Sequence, residues 1–109
     1  MDRDLIKQQL EYALEGTNFD DQGELYKGKV RDNYINEETI TMVTTDRISA
    51  FDRVLGTVPF KGQALTELAD WWFGETADIV ANHIIKRPHP NVWKVKRCEP
   101  IQVEMVVRG

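Results

Sequence analysis

Leu25-Tyr26-Lys27-Gly28-Lys29-Val30-Arg31-Asp32-Asn33-Tyr34-Ile35, then Asn36-Glu37-Glu38, then Thr39-Ile40-Thr41-Met42-Val43-Thr44-Thr45, is the stretch that decides the fold. Residues 25–35 read as one strand. Residues 39–45 are crowded with β-branched side chains, which pack well on a pleated surface. The three residues between them are short enough to close a hairpin.

Working outward, residues 4–15 place Leu5, Ile6, Leu10, Ala13 and Leu14 at roughly helical spacing, and Gly16 follows as a stop. Residues 17–24 are rich in turn formers. Residues 46–62 read as irregular, with local extended pieces around Val54, Leu55 and Val58. Residues 63–83 carry the strongest helical pattern, with Leu65, Leu68, Ala69, Trp72, Thr76, Ile79, Val80 and His83 on one stripe. Gly74 inside it marks a bend or a break. Residues 87–91 (Arg-Pro-His-Pro-Asn) read as a loop, and residues 92–98 and 101–108 as a closing strand pair. Strands and helices are segregated along the chain. The expectation is a single α+β lobe over residues 1–109, with a mostly antiparallel sheet and one long helix.

The chain has 109 residues, 41% hydrophobic and 29% charged, with net charge −4. The acidic balance argues against non-specific nucleic-acid binding, which needs a basic face. No apolar run reaches the length of a membrane span. The single cysteine, Cys98, can form no internal disulfide, which points to a reducing cytoplasm. It reads as an inert buried thiol. Val103-Glu104-Met105-Val106-Val107-Arg108-Gly109 reads as a strand that stops without a polar tail, so the chain is expected to be an amino-terminal piece of something longer.

Three stretches are candidates for chemistry. In Lys27-Gly28-Lys29-Val30-Arg31, a glycine lets backbone approach an anion, and three cations alternate onto one strand face. The competing reading is a solvated edge strand blunted by lysines. In Thr45-Asp46-Arg47-Ile48-Ser49-Ala50-Phe51-Asp52, two aspartates, a serine and an arginine follow a strand, where sites are often built. Asp and Ser are also ordinary turn makers. Arg108, at the end of an apolar strand, suits bidentate capture of phosphate or carboxylate, or a plain surface ion pair. His83 reads as a packed core histidine, and Trp71 and Trp72 as core packing. No His/Cys set has metal-ligand spacing.

Those stretches, together with Lys61-Gly62 and Asn82-His83, stand in the order and spacing of the SAICAR synthetase family, which the chain resembles from about Leu25 to its end. The octapeptide 45–52 is the most specific part. Gln102 departs from the pattern, where a proline is expected, and affects only local strand geometry.

The resemblance implies an ATP-dependent ligase of purine biosynthesis. Such an enzyme joins the carboxylate of carboxyaminoimidazole ribotide to the amine of L-aspartate, giving SAICAR, ADP and phosphate. It implies a β-rich amino-terminal lobe covering ATP and a larger carboxyl-terminal lobe. By position, Lys27, Gly28, Lys29 and Arg31 correspond to the phosphate-covering loop, and Val103, Glu104 and Met105 to the segment bordering adenine. Arg108 corresponds to a ribotide-holding arginine, and Asp46, Ser49 and Asp52 to the loop near the acceptor substrates. No catalytic residue is assigned. Mg²⁺ is implied as a cofactor with its ligands in the other lobe, so this piece alone is expected to be inactive. The alternative is an isolated nucleotide-binding lobe without catalysis. A β-rich adaptor using the Trp71–Trp72 helix leaves the octapeptide unexplained. Exposed sheet edges lead to an expectation of self-association.

Overall fold

The computed structural model describes residues 2–109; Met1, the first residue of the expected lobe, lies outside them. The chain opens with helix α1 (Arg3–Gln8), started by Asp2, whose side chain accepts the Asp4 amide at 2.9 Å. A 3₁₀ turn, Leu10–Tyr12, follows. The expected helix over 4–15 is therefore two short pieces. The reason lies at Leu14, whose amide donates to the Asp46 carboxylate and whose carbonyl accepts the Asp46 amide. Those bonds draw the chain out of the helix.

Five strands form the main sheet: β1 (Glu24–Lys27), β2 (Arg31–Ile35), β3 (Thr39–Thr44), β6 (Ile84–His89) and β7 (Val92–Lys96). Their order is β1-β2-β3-β7-β6 and every pairing is antiparallel. A separate hairpin joins β4 (Arg47–Ala50) to β5 (Arg53–Thr57). The long helix α2 spans Lys61–Glu75. The class is α+β, as expected.

Several expectations about boundaries need correction. Residues 25–35 are not one strand: the chain reverses at Gly28–Arg31, closed by the Gly28 amide donating to the Arg31 carbonyl at 2.8 Å. Residues 46–62 contain a hairpin whose turn residues, Phe51 and Asp52, have φ of 52° and 62°. That left-handed pair normally calls for Asn or Gly, so the hairpin was invisible in composition. Residues 87–91 are mostly strand, with the turn confined to Pro90-Asn91. Helix α2 ends at Glu75, where the Thr76 amide bonds back to the Trp72 carbonyl, so residues 76–83 are not helical. Residues 101–108 form no strand: they join no ladder among the described residues, and β7 pairs with β3 and β6 instead.

Tyr34, Val43, Trp93 and Val95 are buried across the middle strands. One sheet face carries Asp32, Tyr34, Thr41 and Val43, covered in part by the amino-terminal segment: Thr17 Oγ1 contacts both Asp32 and Tyr34, and Phe19 stacks near Tyr34. The other face carries Met42, Thr44, Trp93 and Val95 beneath α2. The helix buries Gly62 and Thr66, one turn apart, not the large residues of the expected stripe. Trp71 and Trp72 pack on each other at 4.8 Å and are more than half exposed, contrary to a core role. Cys98 is exposed, contrary to expectation. His83 is half-buried beside Phe73. No described helix is long and apolar enough to cross a membrane.

Candidate functional site

The site is built at the tips of two hairpins. Gly28–Arg31 turns β1 into β2, and Phe51-Asp52 turns β4 into β5. Lys29 reaches across and pairs with Asp52, so two stretches that looked independent in the sequence meet here. Hydrogen bonding to Asp52, reinforced by its charge, raises the Lys29 pKa above the ordinary lysine value. The same bond lowers that of Asp52. Both side chains are well exposed. Phe51 beside them is 98% exposed.

The reversal at Gly28 separates the three cations, which do not share a face. Lys27 pairs across the strands with Asp32, and Arg31 with Thr44. Neighbours on a strand face opposite ways. Lys27 and Arg31 therefore lie on opposite faces, with Lys29 at the tip between them. The cations surround the turn instead of lining one side of it.

Beneath the turn sits Arg47, 3% exposed. Its guanidinium donates to the carbonyls of Gly28 at 3.1 Å, Lys29 at 3.1 Å and Glu15 at 2.7 Å, and to the Asp32 carboxylate at 3.0 Å. Its own carbonyl accepts Lys61 Nζ at 2.8 Å. Thr45 donates from its amide and its hydroxyl to the Val30 carbonyl, at 3.0 and 2.7 Å. Thr45, Arg47 and Asp32 have no individual role legible in the sequence, because no local pattern signals that an arginine between Asp46 and Ile48 is buried.

Asp46 is buried, and both carboxylate oxygens accept backbone amides, from Leu14 at 2.8 Å and Gly62 at 2.8 Å. It thus caps α2 from outside the helix, whose own N-cap residue, Phe60, supplies no side-chain bond. Ser49 is half-buried, opposite Val54, beside a register shift that leaves Leu55 of β5 as the extra residue. Val103, Glu104, Met105 and Arg108 lie in the exposed carboxyl-terminal segment. No hydrogen bond or ion pair ties Glu104 or Arg108 to another described residue, and nothing there brings them to the hairpin tips.

A cavity of about 300 Å³ lies between α2 and the sheet, lined by Met42, Leu65, Phe73, His83 and Trp93, with Arg31 also on its wall. It is largely apolar. Among the described residues no group of three or more His, Cys, Asp or Glu could hold a metal. Asp32 and Asp46 are committed to Arg47 and to backbone amides, and Asp52 to Lys29. As placed, these three carboxylates are engaged by protein donors and do not present a magnesium site.

The family model for SAICAR synthetase matches residues 24–109. A phosphoribosylaminoimidazole-succinocarboxamide synthase from Legionella pneumophila (strain Lens) is 54% identical over 87 residues, 80% of this chain and 28% of the relative. One from Flavobacterium psychrophilum is 51% identical over 94 residues, 84% of this chain and 30% of the relative. Among solved structures, the SAICAR synthase of Saccharomyces cerevisiae complexed with SAICAR superposes with a TM-score of 0.69 at 28% identity. It covers 78% of this chain and 37% of that one. A type-2 SAICAR synthetase in complex with ADP shares the fold, with a TM-score of 0.59 at 23% identity over 68% of this chain and 33% of that one. The chain thus spans less than a third of the length of these two sequence relatives. With residues 24–109 matched, well over half its length, the chain belongs to the SAICAR synthetase family.

Proposed function

We propose that the chain forms the nucleotide-covering part of an ATP-dependent ligase of purine biosynthesis. The reaction joins carboxyaminoimidazole ribotide and L-aspartate into SAICAR, with release of ADP and phosphate. In it the γ-phosphoryl group of ATP moves to a carboxylate oxygen of the ribotide. The aspartate amine then attacks that carbonyl carbon, phosphate leaves with the C–O electron pair, and the amine loses a proton. Lys27, Gly28, Lys29 and Arg31 are proposed to cover the phosphates, where cations offset the charge on the transferring group. Val103, Glu104 and Met105 would border adenine, and Arg108 would hold the ribotide. Ser49 and Asp52 would lie near the acceptor substrates. Asp46, with both oxygens on backbone amides, would serve that loop by holding it against α2.

The observation that supports this reading is the hairpin tip at Gly28–Arg31, ringed by three cations with one of them, Lys29, shared with Asp52 of the family's octapeptide. The relative from yeast complexed with SAICAR and the fold neighbour complexed with ADP agree with it. Mg²⁺ would be held by residues other than Asp32, Asp46 and Asp52. A cytoplasmic location fits the reaction and the single thiol.

Calorimetric titration of the chain with ATP·Mg²⁺ tests this, beside the Lys29→Ala variant. Binding that weakens in the variant supports it. No binding at millimolar ATP overturns the nucleotide site, and binding without turnover in a coupled assay leaves a nucleotide-binding lobe with no ligase activity. Self-association is proposed through the free edge of β1, whose residues are all exposed. A single sharp monomer in analytical ultracentrifugation at high concentration would exclude it.

A further inference from the structure

We propose that Arg47, helped by Thr45, is the positioning residue of the phosphate turn: it draws the turn's carbonyls inward and so aims two successive backbone amides, those of Lys29 and Val30, outward at the anion. Covalent geometry sets the directions of these groups. In a trans peptide the C=O and the N–H of the next residue point in opposite directions. No peptide among the described residues is cis. The Gly28 carbonyl points at Arg47 Nη2, so the Lys29 N–H points away from it. The Lys29 carbonyl points at Arg47 Nε, so the Val30 N–H points away. The Val30 carbonyl is held by the amide and hydroxyl of Thr45, which fixes the end of the turn; the Arg31 N–H faces the Gly28 side of β2, where the Arg31 carbonyl accepts the Gly28 amide.

Among the described residues the amides of Lys29 and Val30 meet no acceptor. They lie in a turn ringed by cations, and rows of free amides of this kind bind oxyanions. Arg47 is suited to the task because its planar fork is itself pinned by Asp32 and Glu15. A lysine has one compact ammonium and cannot occupy the Nε and Nη2 positions together. Arg47 never touches the ligand in this arrangement. The octapeptide therefore builds the site that the Lys-Gly-Lys stretch presents.

This rests on the reading that the turn takes phosphates, and the experiment separates the two. The ¹⁵N-labelled chain is compared with Arg47→Lys, Thr45→Val and Val95→Ala. Without ligand, order parameters at Lys29, Val30 and Arg31 are expected near ~0.85 in the wild type and below ~0.6 in Arg47→Lys, with Tyr34 and Val43 unchanged. Thr45→Val, nearly isosteric, is expected to loosen the Arg31 amide most, and it decides the matter if Arg47→Lys does not fold. Val95→Ala, a core cavity, is expected to leave the turn ordered. Tripolyphosphate is then titrated in. It should shift the Lys29 and Val30 amides most in the wild type, and bind about tenfold more weakly to Arg47→Lys. A turn that stays ordered in both Arg47→Lys and Thr45→Val overturns the positioning role, as does equal loosening in Val95→Ala. Failure of the wild type to bind tripolyphosphate or ATP overturns the nucleotide reading instead, while the order parameters still decide the role of Arg47.

Discussion

Arg47 and Asp32 form a 3.0 Å ion pair whose side chains are only 4% and 1% exposed. Asp32 also accepts the amide and hydroxyl of Thr17 at 2.9 Å each. Removing one partner of a buried pair strands the other charge in a poor solvent. Asp32→Ala is therefore expected to destabilise the chain by about 3–5 kcal/mol. Asp32→Asn, which keeps an acceptor and the shape, should cost less. Urea unfolding monitored by tryptophan fluorescence measures both, and a loss under about 1 kcal/mol for Asp32→Ala would contradict the burial argument.

Asp46 joins the amino-terminal segment to the start of α2 through the Leu14 and Gly62 amides. Asp46→Ala leaves both donors unmet and removes a helix cap, at a cost of about 2–3 kcal/mol. Amide hydrogen exchange should quicken at Leu14 and Gly62 before it quickens in β3. Uniform quickening across the chain would mean that the carboxylate holds no particular junction.

Two glycines in α2 should respond oppositely to alanine. A Cβ on Gly62 would strike the carbonyls of Thr44 and Thr45 and the Asn91 side chain, while one on Gly74 would meet nothing within 4 Å. Gly62→Ala is expected to cost about 2 kcal/mol or more, because backbone cannot step aside. Gly74→Ala is expected to add about 0.5–1 kcal/mol through helix propensity and reduced freedom of the unfolded chain. Thermal melts of the two variants decide it, and equal shifts would remove the steric account.

The Lys29–Asp52 pair has a defined pH window. The lowered Asp52 pKa means its contribution is present above the ordinary carboxylate value of 3.8 and is lost as pH falls through the lowered value. The raised Lys29 pKa means its contribution is present below the ordinary value of 10.5 and is lost as pH rises through the raised value. NMR titration should find the Asp52 midpoint depressed in the wild type and restored in Lys29→Met. Salt near 1 M should shrink the difference, because both groups are exposed and screened. Identical midpoints in the two proteins would show that the pair does not form in solution.

Much of the architecture was legible in local pattern. The Thr39–Thr44 strand, the turn at 36–38 and the existence of α2 follow from β-branched content, turn residues and helical spacing. The Phe51-Asp52 turn was not legible, because its left-handed backbone is adopted by residues that do not advertise it. The buried side of α2 departs from its apolar stripe for a different reason. Close approach to β3 selects small Gly62 and Thr66 for the buried side, and leaves Leu68, Trp71 and Trp72 outside.

The sequence by itself determined the α+β class, the main hairpin and the family, since periodicity and a specific octapeptide are properties of neighbours along the chain. Only the tertiary structure decided that Gly28–Arg31 is a reversal, that Arg47 holds it from beneath, that Asp46 caps α2, and that Lys29 meets Asp52. The last three depend on partners between 15 and 32 residues apart. No local pattern records such a pairing, because it comes into being only when the folded backbone brings donors and acceptors out of water together.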